Sequence, residues 1–182
     1  RRRRIRIRRT SNRVNKELDL NFYIMNSHHT VAIGTWEGDK QQSIEYNSSI
    51  AVGIDCPRAK LRVSILLDTI QEYQVRYIFS DEEISEAVNE AGLIIGARGI
   101  AYEGVLQRKP VIVVGEYGFG GLVTPDTLHE QYNNYFRGKI NGIKAEYFSL
   151  ERLEEEIRRG FALTFQELQM MSNQTIRFLH NI

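Results

Sequence analysis

From about residue 49 onward the apolar positions of this chain fall into short runs separated by helical stripes. Ser49-Ile50-Ala51-Val52-Gly53-Ile54-Asp55, Val75-Arg76-Tyr77-Ile78-Phe79, Gly92-Leu93-Ile94-Ile95-Gly96 and Pro110-Val111-Ile112-Val113-Val114-Gly115 are rich in β-branched residues. Runs of this kind, closed by glycine or a polar residue, predict strands covered on both faces. The segments between them read as helices. Pro57 sets a first helical position, with Leu61, Ile65, Leu66 and Ile70 on one stripe. Ser80-Asp81-Glu82-Glu83 predicts a capping box, Ser80 as N-cap and Glu83 at N3, opening a helix that turns Ile84, Ala87, Val88 and Ala91 inward. Its acids fit the helix dipole better than a paired-carboxylate active site. A further helix joins Gly96 to Pro110. After Val114 the pattern predicts a glycine-rich loop, a helical segment over Leu128 to Phe136, and two terminal helices with Ser149 and Thr164 as N-caps.

Strands alternating with helices define an α/β fold, a Rossmann-like parallel sheet with helices on both faces. A right-handed crossover through the helix after Gly96 puts Ala97-Arg98-Gly99 and Glu116 to Thr124 on one edge of the sheet, where ligands of such folds bind. Residues 14–48 form an irregular or β-rich entry. Asn21 to Met25 and Thr30 to Gly34 are its candidate strands, and Trp36 to Ser49 is turn-rich. Three parts result: a basic arm at 1–13, the entry at 14–48 and the Rossmann-like domain at 49–182.

At 182 residues and 42% hydrophobic content, the chain has material for one such domain and an appendage. It opens with Arg1 and reads as a piece of a longer protein. Net charge is +1, yet residues 1–13 hold eight arginines and no acid, so removing those eight leaves the other 169 residues at −7. A basic arm of this kind fits an anionic partner, nucleic acid or lipid, through counterion release. A solvated tail, a targeting remnant or an uncertain terminal assignment fits better, since no aromatic residue is interleaved with the arginines as a stacking platform. Ile5 and Ile7 alternate with arginine, which makes an edge strand a third reading. The single cysteine, Cys56, excludes an internal disulfide and suits a reducing, cytoplasmic setting, including the inner membrane surface. His28 and His29 are adjacent and point to opposite faces of an extended segment, so no metal site is expected. No apolar run approaches the roughly 20 residues needed to cross a bilayer, so no transmembrane segment is expected.

Candidate chemistry gathers at the proposed sheet edge. Gly96-Ala97-Arg98-Gly99 is a turn feeding a helix N-terminus, where free backbone N–H groups and the dipole favour an anion, and Arg98 adds a bidentate donor. Glu103 lies about one turn into that helix. It is placed either to accept two hydrogen bonds from vicinal hydroxyls or simply to face solvent. Gly115-Glu116-Tyr117-Gly118-Phe119-Gly120-Gly121 lets backbone approach a ligand closely, and Thr124-Pro125-Asp126 resembles a second helix start facing the same cleft.

The stretch "AGLIIGARGIAYEGVLQRKPVIVVG" resembles the donor-binding signature of GT-B glycosyltransferases, in which a strand, a glycine turn and a helix-strand unit hold a nucleotide sugar. The continuation "GEYGFGGLVTPDTLHEQYNNYFRGKINGI" is similar to a segment of a bacterial subset of that family. The resemblance spans roughly Ser49 to Ile182, and its specific part is Ala91 to Gly142. It implies a nucleoside-diphosphate sugar as ligand, no metal or other cofactor, and a second Rossmann-like domain that supplies acceptor binding and the general base. It also implies that Glu103 binds the ribose, and that Gly96 to Gly99 and Gly118 to Gly121 lie against diphosphate and sugar. That assigns Gly96, Arg98, Gly99, Glu103, Gly120, Gly121 and Thr124 as ligand-binding residues, with no catalytic residue named. This sequence departs from the family where a basic pair clamps the diphosphate after the first strand. Only Arg58 and Lys60 stand near that position. The family's first acidic residue is likewise replaced by Ala97-Arg98. Two other readings keep the fold: a non-catalytic nucleotide-binding or interaction module, and a sugar-nucleotide epimerase-like domain.

Overall fold

The computed structural model describes residues 48–180, all within one compact unit, Gly34–Ile182. The basic arm and the entry, with the strands expected at 21–25 and 30–34, lie outside the described residues. Strands β1 (Ser49–Gly53), β2 (Gln74–Tyr77), β3 (Leu93–Gly96), β4 (Val111–Gly115) and β5 (Gly118–Leu122) form one sheet in the order β2-β1-β3-β4-β5. The first four are parallel, and β5 returns antiparallel to β4. The helices are α1 (Pro57–Ile70), α2 (Ile84–Glu90), α3 (Arg98–Leu106), α4 (Leu128–Asn133), α5 (Leu150–Phe161) and α6 (Phe165–His180). Helix α5 packs against β3, β4 and β5 and against α1, helices α2 and α3 pack against each other and against β1, β3 and β4, and α6 packs on α3. This is the Rossmann-like α/β fold expected from the strand and helix pattern.

Strands buried on both faces explain the unbroken apolar runs. Leu93, Ile94, Ile95, Ile112, Val113 and Val114 are completely buried. Small residues set how closely the helices lie. A methyl group added at Gly104 in α3 would stand 2.7 Å from Val111 Cγ2 and 3.1 Å from Ile94 Cγ1. An aromatic cluster of Tyr102, Tyr132, Phe136 and Phe178 then ties α3, α6 and the segment around α4 together.

Three expectations need correction. The buried stripe of α1 is Ala59, Val63, Leu66 and Leu67, while Leu61 and Ile65 face outward. Ala59 is small enough to bring the helix against the sheet, and it sets the phase that the larger leucines obscured. Ser80 makes no capping bond. Instead a short 3₁₀ turn, Asp81–Glu83, precedes α2, and the Glu83 carboxylate accepts the Phe79 N–H at 3.1 Å. The glycine-rich stretch is not a loop but the second arm of a hairpin, strand β5. Its backbone is held by side chains from both faces. Gln131 Nε2 donates to Gly120 O at 3.0 Å, and Glu156, buried and paired with Arg152 at 2.7 Å and Arg159 at 3.2 Å, accepts the Leu122 N–H at 3.1 Å. The caps of the terminal helices stand as expected. Ser149 Oγ accepts from Arg152 N, and Thr164 and Glu167 form a reciprocal capping box.

Two consequences are measurable. Gly104→Ala should destabilise the chain by about 1–3 kcal/mol in urea unfolding, because β4 backs the added methyl and cannot yield. Lys109 donates to Asn89 O at 3.0 Å, and burial lowers its ammonium from 10.5 to about 8. The folded chain therefore releases this proton near pH 8 while the unfolded chain holds it to higher pH. The cost of burying the charge is full below pH 8 and fades toward pH 10.5, so this group makes stability rise with pH across that window. Urea unfolding at pH 7 and 9.5 should show that rise in wild type and its loss in Lys109→Met.

Candidate functional site

The strand order reverses between β1 and β3, so their carboxyl ends diverge into a crevice. Gly53 and Gly96 are register partners at those two ends. A methyl group at Gly96 would stand 2.5 Å from Gly53 O and 2.6 Å from Ile100 Cγ2, and one at Gly53 would stand 2.8 Å from Ile100 Cδ1. Only bare backbone on both strands lets Ile100 seat there, and Ile100 carries the first turn of α3 down onto the sheet edge.

Above this junction lies a cavity of about 520 Å³, bounded by Gly53 to Asp55 and Lys60 on one side, Ile78 to Asp81 on another, and Ala97 to Ile100 on the third. A second hollow of about 380 Å³ adjoins it between Asp55, Cys56, Arg98 and Glu116. Helix α3 opens without a side-chain cap, and among the described residues no acceptor meets the amides of Gly99 and Ile100. Helix α1, with Cys56 at its N-cap and Pro57 next, also starts uncapped at the same edge. Both helix dipoles thus place partial positive charge beside the cavity. Gly99 has space around it: a methyl group there would meet only Ile84 Cδ1, at 3.8 Å. Packing does not demand glycine at this position, and the backbone there is left open to close approach.

Arg98 occupies the left-handed region at φ 55, although it is the first residue of α3. Such a conformation costs a non-glycine residue roughly 1–2 kcal/mol. It is held by a hydrogen bond from Arg98 N–H to Phe136 O at 3.0 Å. The half-exposed guanidinium points Nη2 at Glu116 Oε2, 3.0 Å away, and Nε toward Asp55 Oδ2 at 3.7 Å. Glu116 also pairs with Arg137, whose guanidinium lies over the Tyr117 ring. These two carboxylates orient Arg98 and leave Nη1 without an acceptor among the described residues.

The expected ligand residues do not all meet here. Arg98 and Gly99 line the cavity, while Gly96 lies buried beneath it against Gly53 and Ile100. Glu103 does not line the cavity, and its Oε1 accepts from Gln107 Nε2 at 2.6 Å. Gly120 and Gly121 lie within β5, one beneath Gln131 and the other beneath Glu156. Thr124 is at the opposite edge, because β5 runs back and Val123 N–H reaches Val111 O at the start of β4. Its hydroxyl is shared with Thr127 in a local turn. Of the two basic residues near the first strand, Lys60 lines the cavity, while Arg58 faces Glu146. Asp55, Phe79 and Ser80 are cavity residues that the motifs did not mark. Among the described residues no group of three or more His, Cys, Asp or Glu is placed to hold a metal ion, and no helix is long and apolar enough to cross a membrane.

No protein family, curated protein or solved structure matches this chain. The chemistry of the site therefore rests on its own geometry.

The strain at Arg98 yields a prediction with an unusual sign. At ordinary helical positions alanine is the more stable of alanine and glycine by about 1 kcal/mol. Here Arg98→Gly should unfold at higher urea than Arg98→Ala, since glycine alone relieves the left-handed backbone. The reverse order would show that the backbone at residue 98 is unstrained.

Proposed function

We propose that the α/β unit is the donor-binding half of a GT-B-type glycosyltransferase, holding the diphosphate of a nucleotide sugar in the cavity at the β1/β3 switch. The observation that carries this reading is the uncapped start of α3 at an open glycine, Gly99, beside an arginine held in a costly conformation. Two Gly99 and Ile100 amides, the dipoles of α1 and α3, and the donors of Arg98 and Lys60 suit the oxygens of a diphosphate. Sequence adds the Ala91 to Gly142 resemblance, which supplies the glycosyl-transfer part of the proposal. In that chemistry the groups that bind the diphosphate also stabilise the charge that grows on it as the bond to the anomeric carbon breaks. The acceptor molecule supplies the attacking hydroxyl, and its binding and the base that takes its proton fall to the second Rossmann-like domain that the resemblance implies.

Within this reading the anchor is Arg98 with the α3 amides, rather than Glu103. A ribose contact from Glu103 requires its carboxylate to leave Gln107 and swing to the cavity side. Titration of UDP, GDP, CDP and ADP, and of their sugar conjugates, followed by calorimetry, should find at least one that binds. Arg98→Ala should weaken that ligand by about tenfold or more, the usual worth of a charge-assisted hydrogen bond. Gly99→Ala should weaken binding while stabilising the fold by up to about 1 kcal/mol through helix propensity. Glu103→Gln should leave affinity within about twofold of wild type. Failure of every nucleotide to bind the folded chain would contradict the proposal.

A further inference from the structure

Phe79 is the most exposed large apolar side chain among the described residues, at 78%. It belongs neither to the buried core nor to the apolar residues packed against it. It follows the carboxyl end of β2, where a turn would ordinarily call for a polar residue. Its backbone is nevertheless fixed, with N–H bonded to the Glu83 carboxylate at 3.1 Å. Lys60 Nζ sits 4.0 Å from the ring centroid, so one face of the ring carries a cation and the rest is open. Both side chains line the 520 Å³ cavity, together with Ser80, which makes no capping bond, and Asp81.

Strands β2 and β3 flank β1, with Val52 paired to Tyr77 and Gly53 to Gly96, so Phe79 and Ala97, just past the carboxyl ends of β2 and β3, lie about two strand spacings apart. Two spacings are about 10 Å. That is close to the reach from a nucleobase through its ribose to the diphosphate. A ligand whose phosphates rest on the Gly99 and Ile100 amides would therefore carry its base to Phe79.

We propose that Phe79 is the stacking platform for the nucleobase, so that the cavity selects nucleoside diphosphates over bare diphosphate. This inference rests on the phosphate site proposed above and adds to it. Stacking on a single ring accepts any base, so it supplies affinity for nucleotides as a class rather than choice among them. Lys60 stays free to swing from the ring to a phosphate oxygen, which links the two halves of the ligand.

The test compares inorganic pyrophosphate with UDP and ADP on the 182-residue chain, using wild type, Phe79→Ala and Phe79→Trp. Wild type should bind the nucleotides more tightly than pyrophosphate. Phe79→Ala should lose about tenfold or more for UDP and ADP and leave pyrophosphate within twofold, while Phe79→Trp should keep the nucleotide preference. Because the side chain is exposed, thermal unfolding of both variants should match wild type. Pyrophosphate binding with no advantage for nucleotides, or an equal loss for both ligands in Phe79→Ala, overturns the stacking role alone. Binding of neither by wild type overturns the phosphate site and the stacking role together.

Discussion

The arrangement at the crevice depends on the close seat of Ile100 against Gly53 and Gly96. Two adjacent strands end in glycine at the same level, and Ile100 fills the space that side chains on either would occupy. The first turn of α3 is thereby pressed against the sheet edge, where Gly99 and Ile100 line the cavity. A larger residue on either strand would lift the helix and move Arg98 with it. Phe136 completes the arrangement from outside, since its carbonyl fixes Arg98 N–H and its ring packs with Tyr102 on the same helix.

The far side of the sheet supports this edge indirectly. Strand β5 has a neighbour on one side only, yet its outward backbone groups are occupied: Gly120 O by Gln131, Leu122 N–H by Glu156 and Phe119 N–H by Ile143 O. An edge strand covered in this way cannot easily recruit another chain. It also fixes the hairpin turn, where Tyr117 N–H bonds Arg137 O and Glu116 meets both Arg98 and Arg137. Buried polar side chains thus do for β5 what apolar packing does for β1, β3 and β4.

That difference explains what could be read from the sequence. The parallel strands, the helix starts at Pro57, Ser149 and Thr164, and the crevice turn at Gly96 to Gly99 follow from local chemistry, and all were legible. Strand β5 was not, because Gly118-Phe119-Gly120-Gly121 lacks the alternation of a strand; Gly120 makes room for Gln131, 11 residues further on, and Gly121 takes a left-handed φ of 77. Reading that stretch as a loop also displaced Thr124, since only an antiparallel return carries it to the opposite edge. Glu103 was marked by motif, and its bond to Gln107 depends on rotamers that no motif encodes. Phe79 carried a signal that went unused, an aromatic residue at a position where a strand gives way to a turn.

The central claim is that the uncapped start of α3 binds phosphate. The most direct measurement is a titration of isotopically labelled chain with inorganic pyrophosphate, followed amide by amide in solution NMR. The account predicts that the largest saturating shifts fall on Gly99 and Ile100, with smaller ones on Arg58 and Ala59 at the start of α1. Saturating shifts confined to residues outside the β1/β3 crevice, or none at any concentration, would contradict it.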